Sequence, residues 1–246
     1  MPVITSPHNP TIKSIRSLAE KKYREETGLF VAEGVEVLGR ARREGWEPIY
    51  LVATEAVAPW GKAERLTVSG KVMQALGGQR NASPLLGVFK QRFADAATPR
   101  GLWIALEAMR DPGNLGTIIR TADAAAAAGV ILVGPSCDPY GRDSVRASMG
   151  SIFGPPLVRM DRGKFIDLCK GWPGEVAGTH LQGTEDYRRA YRAPVLLVMG
   201  SEASGLSAET AAACSALVRI PMAGGAQSLN VAVAAGLMLY ETQRGR

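Results

Sequence analysis

The 246-residue chain holds only two histidines, His8 and His180, and three cysteines, Cys137, Cys169 and Cys214. Two histidines cannot build a histidine-rich metal centre, and no CxxC or other metal-ligand spacing occurs, so no metal is expected. An odd, scattered set of cysteines argues against a disulfide framework and for a reducing, cytoplasmic setting. No apolar run of about 18 residues free of strongly polar groups is present, so no membrane span is expected. The opening MPVITSPHNP has no apolar core of a signal peptide. Three motifs are also missing. Without G-x-x-x-x-G-K-[ST] there is no Walker-type phosphate loop. Without G-x-G-x-x-G after the first strand of the α/β part there is no standard dinucleotide or Rossmann methyltransferase fingerprint. Without G-x-S-x-G there is no nucleophile elbow.

What remains is an ordinary globular composition, 46% hydrophobic and 21% charged, in a chain long enough for one large domain or two small ones. The net charge of +6 and a pI near 9.4 are compatible with a nucleic-acid partner, though solvated lysines and arginines alone give the same balance.

Residues 1–92 read as a small α/β unit. In HNPTIKSIRSLAEKKYREETG, Asn9 suits a helix cap, Pro10 the first helical position, and Ile12, Ile15, Leu18 and Ala19 keep helical spacing. LFVAEG, PIYLVAT, RLTVSG and PLLGVFK read as strands, and VEVLGRARREG and GKVMQALGG as helices. Lys13, Arg16, Lys21, Lys22 and Arg24 are candidate phosphate contacts, or else a solvated helix face, since Glu20, Glu25 and Glu26 lie among them. Residues 93–101, polar and carrying Pro99 and Gly101, read as a linker. Residues 102–246 alternate short apolar strands (LWIALEAM, VILVG, PLVRM, EVAGTH, PVLLVMG, ALVRI) with helices near 114–128, 142–151, 164–170 and 207–215. That alternation predicts a parallel sheet covered on both faces.

In such sheets ligands bind beyond the carboxyl ends of the strands. Three stretches there carry chemistry. In RDPGNLGTIIRTAD, Asn114 is expected to cap a helix, and Arg120 stands beside its apolar stripe. In VMGSEASGLS, Gly200 permits close backbone approach to a ligand and Glu202 is the only charge. In IPMAGGAQSLNVAVAAGLMLYE, Ser228 is expected to cap the last helix. Asn230 would then lie one residue inside a helix with almost no polar face. Buried there, its amide would need partners or cost about 1–3 kcal/mol. Each of these residues alone is also what an ordinary turn or cap contains.

Taken together and in this order, the three stretches resemble the motifs of the SpoU (TrmH-like) branch of the SPOUT methyltransferases. SVRASMGSIFGPPLVRM, 144–160, resembles that family's intervening segment, and the match spans about residues 102–241. More loosely, the N-terminal part resembles the small substrate-binding domain found ahead of the catalytic domain in ribosomal RNA members. The resemblance implies S-adenosylmethionine as methyl donor and RNA 2′-O-ribose methylation, most simply of 23S ribosomal RNA. It implies a homodimer and a C-terminal deep trefoil knot, an exception to the rule that chains do not thread. By position, it places Met199, Gly200, Thr179, Ile220 and Leu229 at the cofactor. Asn114, Arg120, Glu202, Ser228 and Asn230 match the polar positions around the reacting ribose, with Glu202 holding Arg120 or the ribose. Arginine stays protonated in water. Arg120 is therefore open to two roles: a base made possible by its surroundings, or a cation steadying oxyanion and phosphate. Two rival readings are the same chemistry on tRNA and a non-catalytic RNA-binding protein of the same fold. The helix starting at Leu229 is expected to form the dimer, through Val231, Val233, Leu237 and Tyr240, with the helix at 114–128 nearby.

Overall fold

Residues 3–77, 83–202 and 204–244 are described by the structure, a computed structural model. The chain divides into two compact units, Met1–Gln91 with Asp138–Gly154, and Arg92–Cys137 with Pro155–Arg246. The division is therefore not a single cut in the sequence.

In the first unit, α1 (Pro10–Ser17) begins on Asn9, whose side-chain oxygen accepts from the N–H groups of Thr11 and Ile12, with Pro10 in the first turn as its fixed φ favours. The helical spacing read across residues 8–28 resolves into two helices, the second being α2 (Lys21–Thr27), closed by Gly28 at φ +66°. Then follow β1 (Leu29–Glu33), α3 (Val35–Arg43), β2 (Tyr50–Ala53), β3 (Glu64–Thr67), α4 (Gly70–Gly77) and β4 (Leu85–Lys90). The four strands order β1-β4-β2-β3, with only β2 and β3 parallel. Ile12, Ile15, Leu18, Val52, Val72, Leu76 and Val88 fill one core. Phe30, Trp46, Phe89, Tyr140 and Phe153 form an aromatic cluster with ring centroids 4.6–6.1 Å apart.

Arg24 is not a phosphate contact. It is only 5% exposed. Its Nε donates to Asp138 Oδ2 at 2.7 Å, and one Nη donates to the carbonyls of Leu18 and Ala19 at 2.8 Å each. Lys21 and Lys22 stay exposed, each facing a glutamate one turn on.

The second unit opens with residues 92–101, which lie against its core: Ala97 is buried and the Ala94 N–H donates to the Leu157 carbonyl. It continues with β5 (Leu102–Glu107), α5 (Pro112–Ala124) and β6 (Gly129–Val133). The chain then supplies the first unit with α6 (Arg142–Ala147) and a 3-10 turn, Ser151–Phe153. It returns as β7 (Leu157–Met160), α7 (Arg162–Lys170), β8 (Glu175–Thr179), β9 (Glu185–Asp186), β10 (Val195–Met199), α8 (Ala208–Ala213), β11 (Ala216–Arg219) and α9 (Val231–Gln243). The seven strands order β7-β6-β5-β10-β8-β11-β9, and every neighbouring pair is parallel. β5, β6 and β10 are buried along their whole length, as strands covered on both faces must be. β9 has no apolar run, so nothing in the sequence announces it. α9 crosses back to pack on α5 and β10.

Candidate active site

At the carboxyl edge of the parallel sheet the second unit carries a cleft of about 700 Å³. Its walls are the ends of β8, β10 and β11 and the start of α9. Eight of the ten residues singled out from the sequence line it: Thr179, Met199, Gly200, Glu202, Ile220, Ser228, Leu229 and Asn230. Asn114 and Arg120 do not.

Asn114 nevertheless reaches two of the lining residues. Its Nδ2 donates to Glu202 Oε1 at 2.8 Å, and its Oδ1 accepts from Asn230 Nδ2 at 3.0 Å. Three elements far apart in sequence are thereby joined through side chains alone. Two expected caps are corrected here. Asp111, not Asn114, caps α5: its Oδ1 accepts from the Asn114 N–H at 2.6 Å, and Pro112 occupies the first turn. The Asn114 side chain is thus free to face the site. At the other helix Asn230, not Ser228, is the cap. Its Oδ1 accepts from the N–H groups of Ala232 and Val233 at 2.9 and 3.3 Å. Ser228 lies in the exposed approach loop, and Asn230 is itself exposed, so no buried-amide penalty applies.

Arg120 is exposed on α5 and makes no hydrogen bond or ion pair among the described residues. Glu202 bonds Asn114 and not Arg120.

The chain's own loop demands a glycine at position 200. A Cβ there would stand 2.0 Å from the Gly205 carbonyl carbon and 2.2 Å from the Leu206 nitrogen. That close approach is made by the chain's own loop. Ser201 and Gly205 exchange backbone hydrogen bonds at 3.2 and 3.0 Å, and Gly205 takes the left-handed φ of +66° that this tight return needs. Thr179 Oγ1 donates to Met199 Sδ at 3.0 Å, pinning two cleft walls together.

The sequence reading missed His180, Leu181 and Gln182, which follow β8 on the cleft rim. His180 Nδ1 accepts from the Gln182 N–H at 3.1 Å, and Leu181 is 68% exposed. The available signal was their position at the carboxyl end of a strand next to β10.

Within one copy of the chain the last helix is buried along one face. Val231, Ala232, Ala235, Met238 and Leu239 face the chain's own core, so Val231 does not belong to the free face. Val233, Leu237 and Tyr240 stand 54, 38 and 57% exposed. At helical spacing these three form one apolar stripe.

Outside the cleft, Glu107 is 3% exposed at the end of β5. It accepts from Ser207 N, Ser207 Oγ, Thr210 Oγ1 and Arg162 Nε, all within 3.0 Å. Burial works against its charge, but the hydrogen bonds from Ser207 and Thr210, with Arg162, outweigh it and hold its pKa below the ordinary value of 4.5. Its partners sit at the starts of α7 and α8, so it is a structural carboxylate. Among the described residues no three His, Cys, Asp or Glu gather as metal ligands, and no helix is long and apolar enough to cross a membrane.

Residues 101–240 match the family model described as the SpoU rRNA Methylase family, and residues 9–87 match the MRM3-like substrate binding domain. The chain is 32% identical over 250 residues to the 23S rRNA (uridine(2479)-2′-O)-methyltransferase of Streptomyces viridochromogenes, covering 93% of this chain and 87% of the relative. It is 31% identical over 245 residues to the 23S rRNA (guanosine(2553)-2′-O)-methyltransferase RlmP of Bacillus subtilis, covering 98% of each. Among solved structures, an AdoMet-bound rRNA methyltransferase from Sinorhizobium meliloti superposes with a TM-score of 0.93 at 42% identity, covering 99% of this chain and 97% of that one.

Proposed function

Because the chain belongs to the SpoU rRNA methylase family, we propose that it methylates a ribose 2′-hydroxyl of 23S ribosomal RNA, with S-adenosylmethionine as donor. One observation carries this reading: Asn114, Glu202 and Asn230, from three separate stretches, meet in one hydrogen-bonded chain at the rim of a ligand-sized cleft. The relatives, 23S rRNA 2′-O-methyltransferases, supply the nucleic acid and the reaction class.

The cleft suits the cofactor. Its volume lies within the range of about 300–1,000 Å³ usual for small-molecule sites. Apolar Met199, Ile220 and Leu229 line it beside the backbone of the Gly200–Gly205 return. Met199, Gly200, Thr179, Ile220 and Leu229 are assigned to holding it. When bound, S-adenosylmethionine supplies an activated methyl. The chain's own residues must then aim the hydroxyl and accommodate its proton. Glu202 is an acceptor at the cleft wall, and Asn114 and Asn230 hold it in place. Ser228 is assigned to the substrate side of the loop.

Arg120 calls for a second copy of the chain. It is absent from its own cleft and unpaired among the described residues. Its neighbour Thr121 places a methyl 3.7 Å from where a Cβ on Gly236 of α9 would stand. The apolar stripe of α9 supports a homodimer through that helix with α5 alongside. In such a dimer Arg120 would serve the partner's cleft as a cation steadying the developing oxyanion. Two further parts of the reading are a cytoplasmic location, where ribosomal RNA is found, and the family's trefoil knot. The return of α9 from β11 across to α5 and β10 is compatible with the knot. The first unit, matched to a substrate-binding domain, is assigned to RNA.

The test is incubation of the purified protein with methyl-labelled S-adenosylmethionine and 23S ribosomal RNA, followed by mapping of the label. Label on one ribose 2′-oxygen is expected. Label on a base, or on tRNA with none on 23S ribosomal RNA, would overturn the reading.

A further inference from the structure

The hydrogen bonds around Asn114 run in one direction, and the direction is set at α9. Asn230 Oδ1 faces two backbone N–H groups, those of Ala232 and Val233. A primary amide has one acceptor end and one donor end. With its oxygen committed to the helix start, Asn230 can present only Nδ2 to Asn114, at 3.0 Å. Asn114 must answer with its oxygen, which turns its own Nδ2 to Glu202 Oε1 at 2.8 Å. Neither amide can be turned around alone without placing like against like.

We propose that Asn230 and Asn114 are positioning residues that act through Glu202: the N-terminus of α9 fixes the polarity of the chain, and that polarity holds the Glu202 carboxylate toward the reacting ribose. Glu202 then keeps one oxygen engaged and the other free to accept from a ribose hydroxyl. This rests on the methyltransferase reading above for its consequence, but not for its geometry. The chain also links the loop that carries the start of α9 to the loop after β10, so the two sides of the cleft are set together.

Polarity can be reversed by substitution. Asn230→Asp keeps an equally good helix cap, so α9 still forms. It removes the donor, however, and sets an acceptor opposite Asn114. The Asn114 amide must turn, and its oxygen then faces the Glu202 carboxylate. Adding Glu202→Gln supplies a donor there and lets the whole chain run backwards. Glu202→Gln alone keeps an acceptor and should change the fold little.

The experiment measures thermal midpoints for the wild type, the two single variants and the double variant, together with single-turnover methyl transfer and cofactor affinity. Asn230→Asp should lower the midpoint by about 2–4 °C, and the double variant should return to within about 1 °C of the wild type. Asn230→Asp should also slow single-turnover transfer at least about tenfold while cofactor affinity moves less than about threefold, the split expected of a group acting only in the transition state. A double variant no more stable than Asn230→Asp would overturn the polarity chain. So would an Asn230→Asp enzyme that turns over at the wild-type rate. The thermal cycle needs no catalysis, so a wild-type protein that leaves RNA unmethylated would sink the functional reading and leave the polarity to be judged by the midpoints.

Discussion

Arg24 Nε and Asp138 Oδ2 lie 2.7 Å apart, across 114 residues of sequence, with side chains only 6 and 9% exposed. The pair joins the N-terminal stretch to the segment that leaves and re-enters the second unit. Removing one partner leaves a buried charge without its counterion, at a cost of about 3–5 kcal/mol. Asp138→Ala should therefore lower the thermal midpoint by roughly 2–4 °C per kcal/mol. Arg24→Met with Asp138→Leu should cost less than the two single changes added together. Additive losses in a double-mutant cycle would show that the two charges do not depend on each other.

For Arg120, exposed and unpaired among the described residues, substitution should leave the fold intact. Arg120→Ala should cut single-turnover methyl transfer by about 10²–10³-fold, the effect of losing one preorganised donor to a developing oxyanion, with cofactor affinity close to wild type. Arg120→Lys should recover little, because a point charge does not reproduce the planar two-armed donor. A rate near wild type for the alanine variant would remove Arg120 from the mechanism.

The stripe of Val233, Leu237 and Tyr240 should be covered by a second copy. Leu237→Asp together with Tyr240→Lys should give a monomer in sedimentation at micromolar concentration, with its own core undisturbed, since both side chains already face outward. If Arg120 works across the dimer, that monomer should bind cofactor and transfer no methyl. Mixing an Arg120→Ala protein with a protein blocked only in its cleft should restore activity through mixed dimers. A wild-type protein that sediments as a monomer would defeat the prediction at once.

Glu107 sets a pH dependence. Its folded pKa lies below the unfolded value, so the unfolded chain takes up its proton first as pH falls. The stabilisation is complete above about pH 4.5 and is lost as pH drops through the folded pKa. Glu107→Gln removes the charge but keeps an oxygen, and should cost about 1–3 kcal/mol at neutral pH. Urea titrations at pH 7 and pH 3 should show the gap between wild type and variant closing at the lower pH. A gap that stays constant would mean that the hydrogen bonds do not distinguish the charged form.

Apart from β9, the strands and helices of the second unit were legible because their signals are local. Runs such as VILV and LLVM fit strands buried on both faces, and the helices between them keep a period near 3.6. The three site stretches were legible for the same reason, each being a strand end with turn and cap residues. Which residue does the capping was not. Asp111 and Asn114, or Ser228 and Asn230, are equally good caps by type, and only the path of the chain into each helix chose Asp111 and Asn230.

The sequence by itself determined most element types, their alternation, the parallel sheet and the three stretches at its carboxyl edge, because apolar period and turn chemistry act over a few neighbours. The cofactor residues within those stretches were implied by the family resemblance. Tertiary structure decided the rest. It buried Arg24 against Asp138, set a Gly205 backbone where a side chain on Gly200 would stand, added His180 to the cleft and split α9 into a core face and an open apolar stripe. It also turned Asn114 toward partners 88 and 116 residues away. In the second unit these outcomes depend on which surfaces meet once the strands are ordered β7-β6-β5-β10-β8-β11-β9. That order comes from burying the whole sheet at once, and no stretch of local pattern contains it.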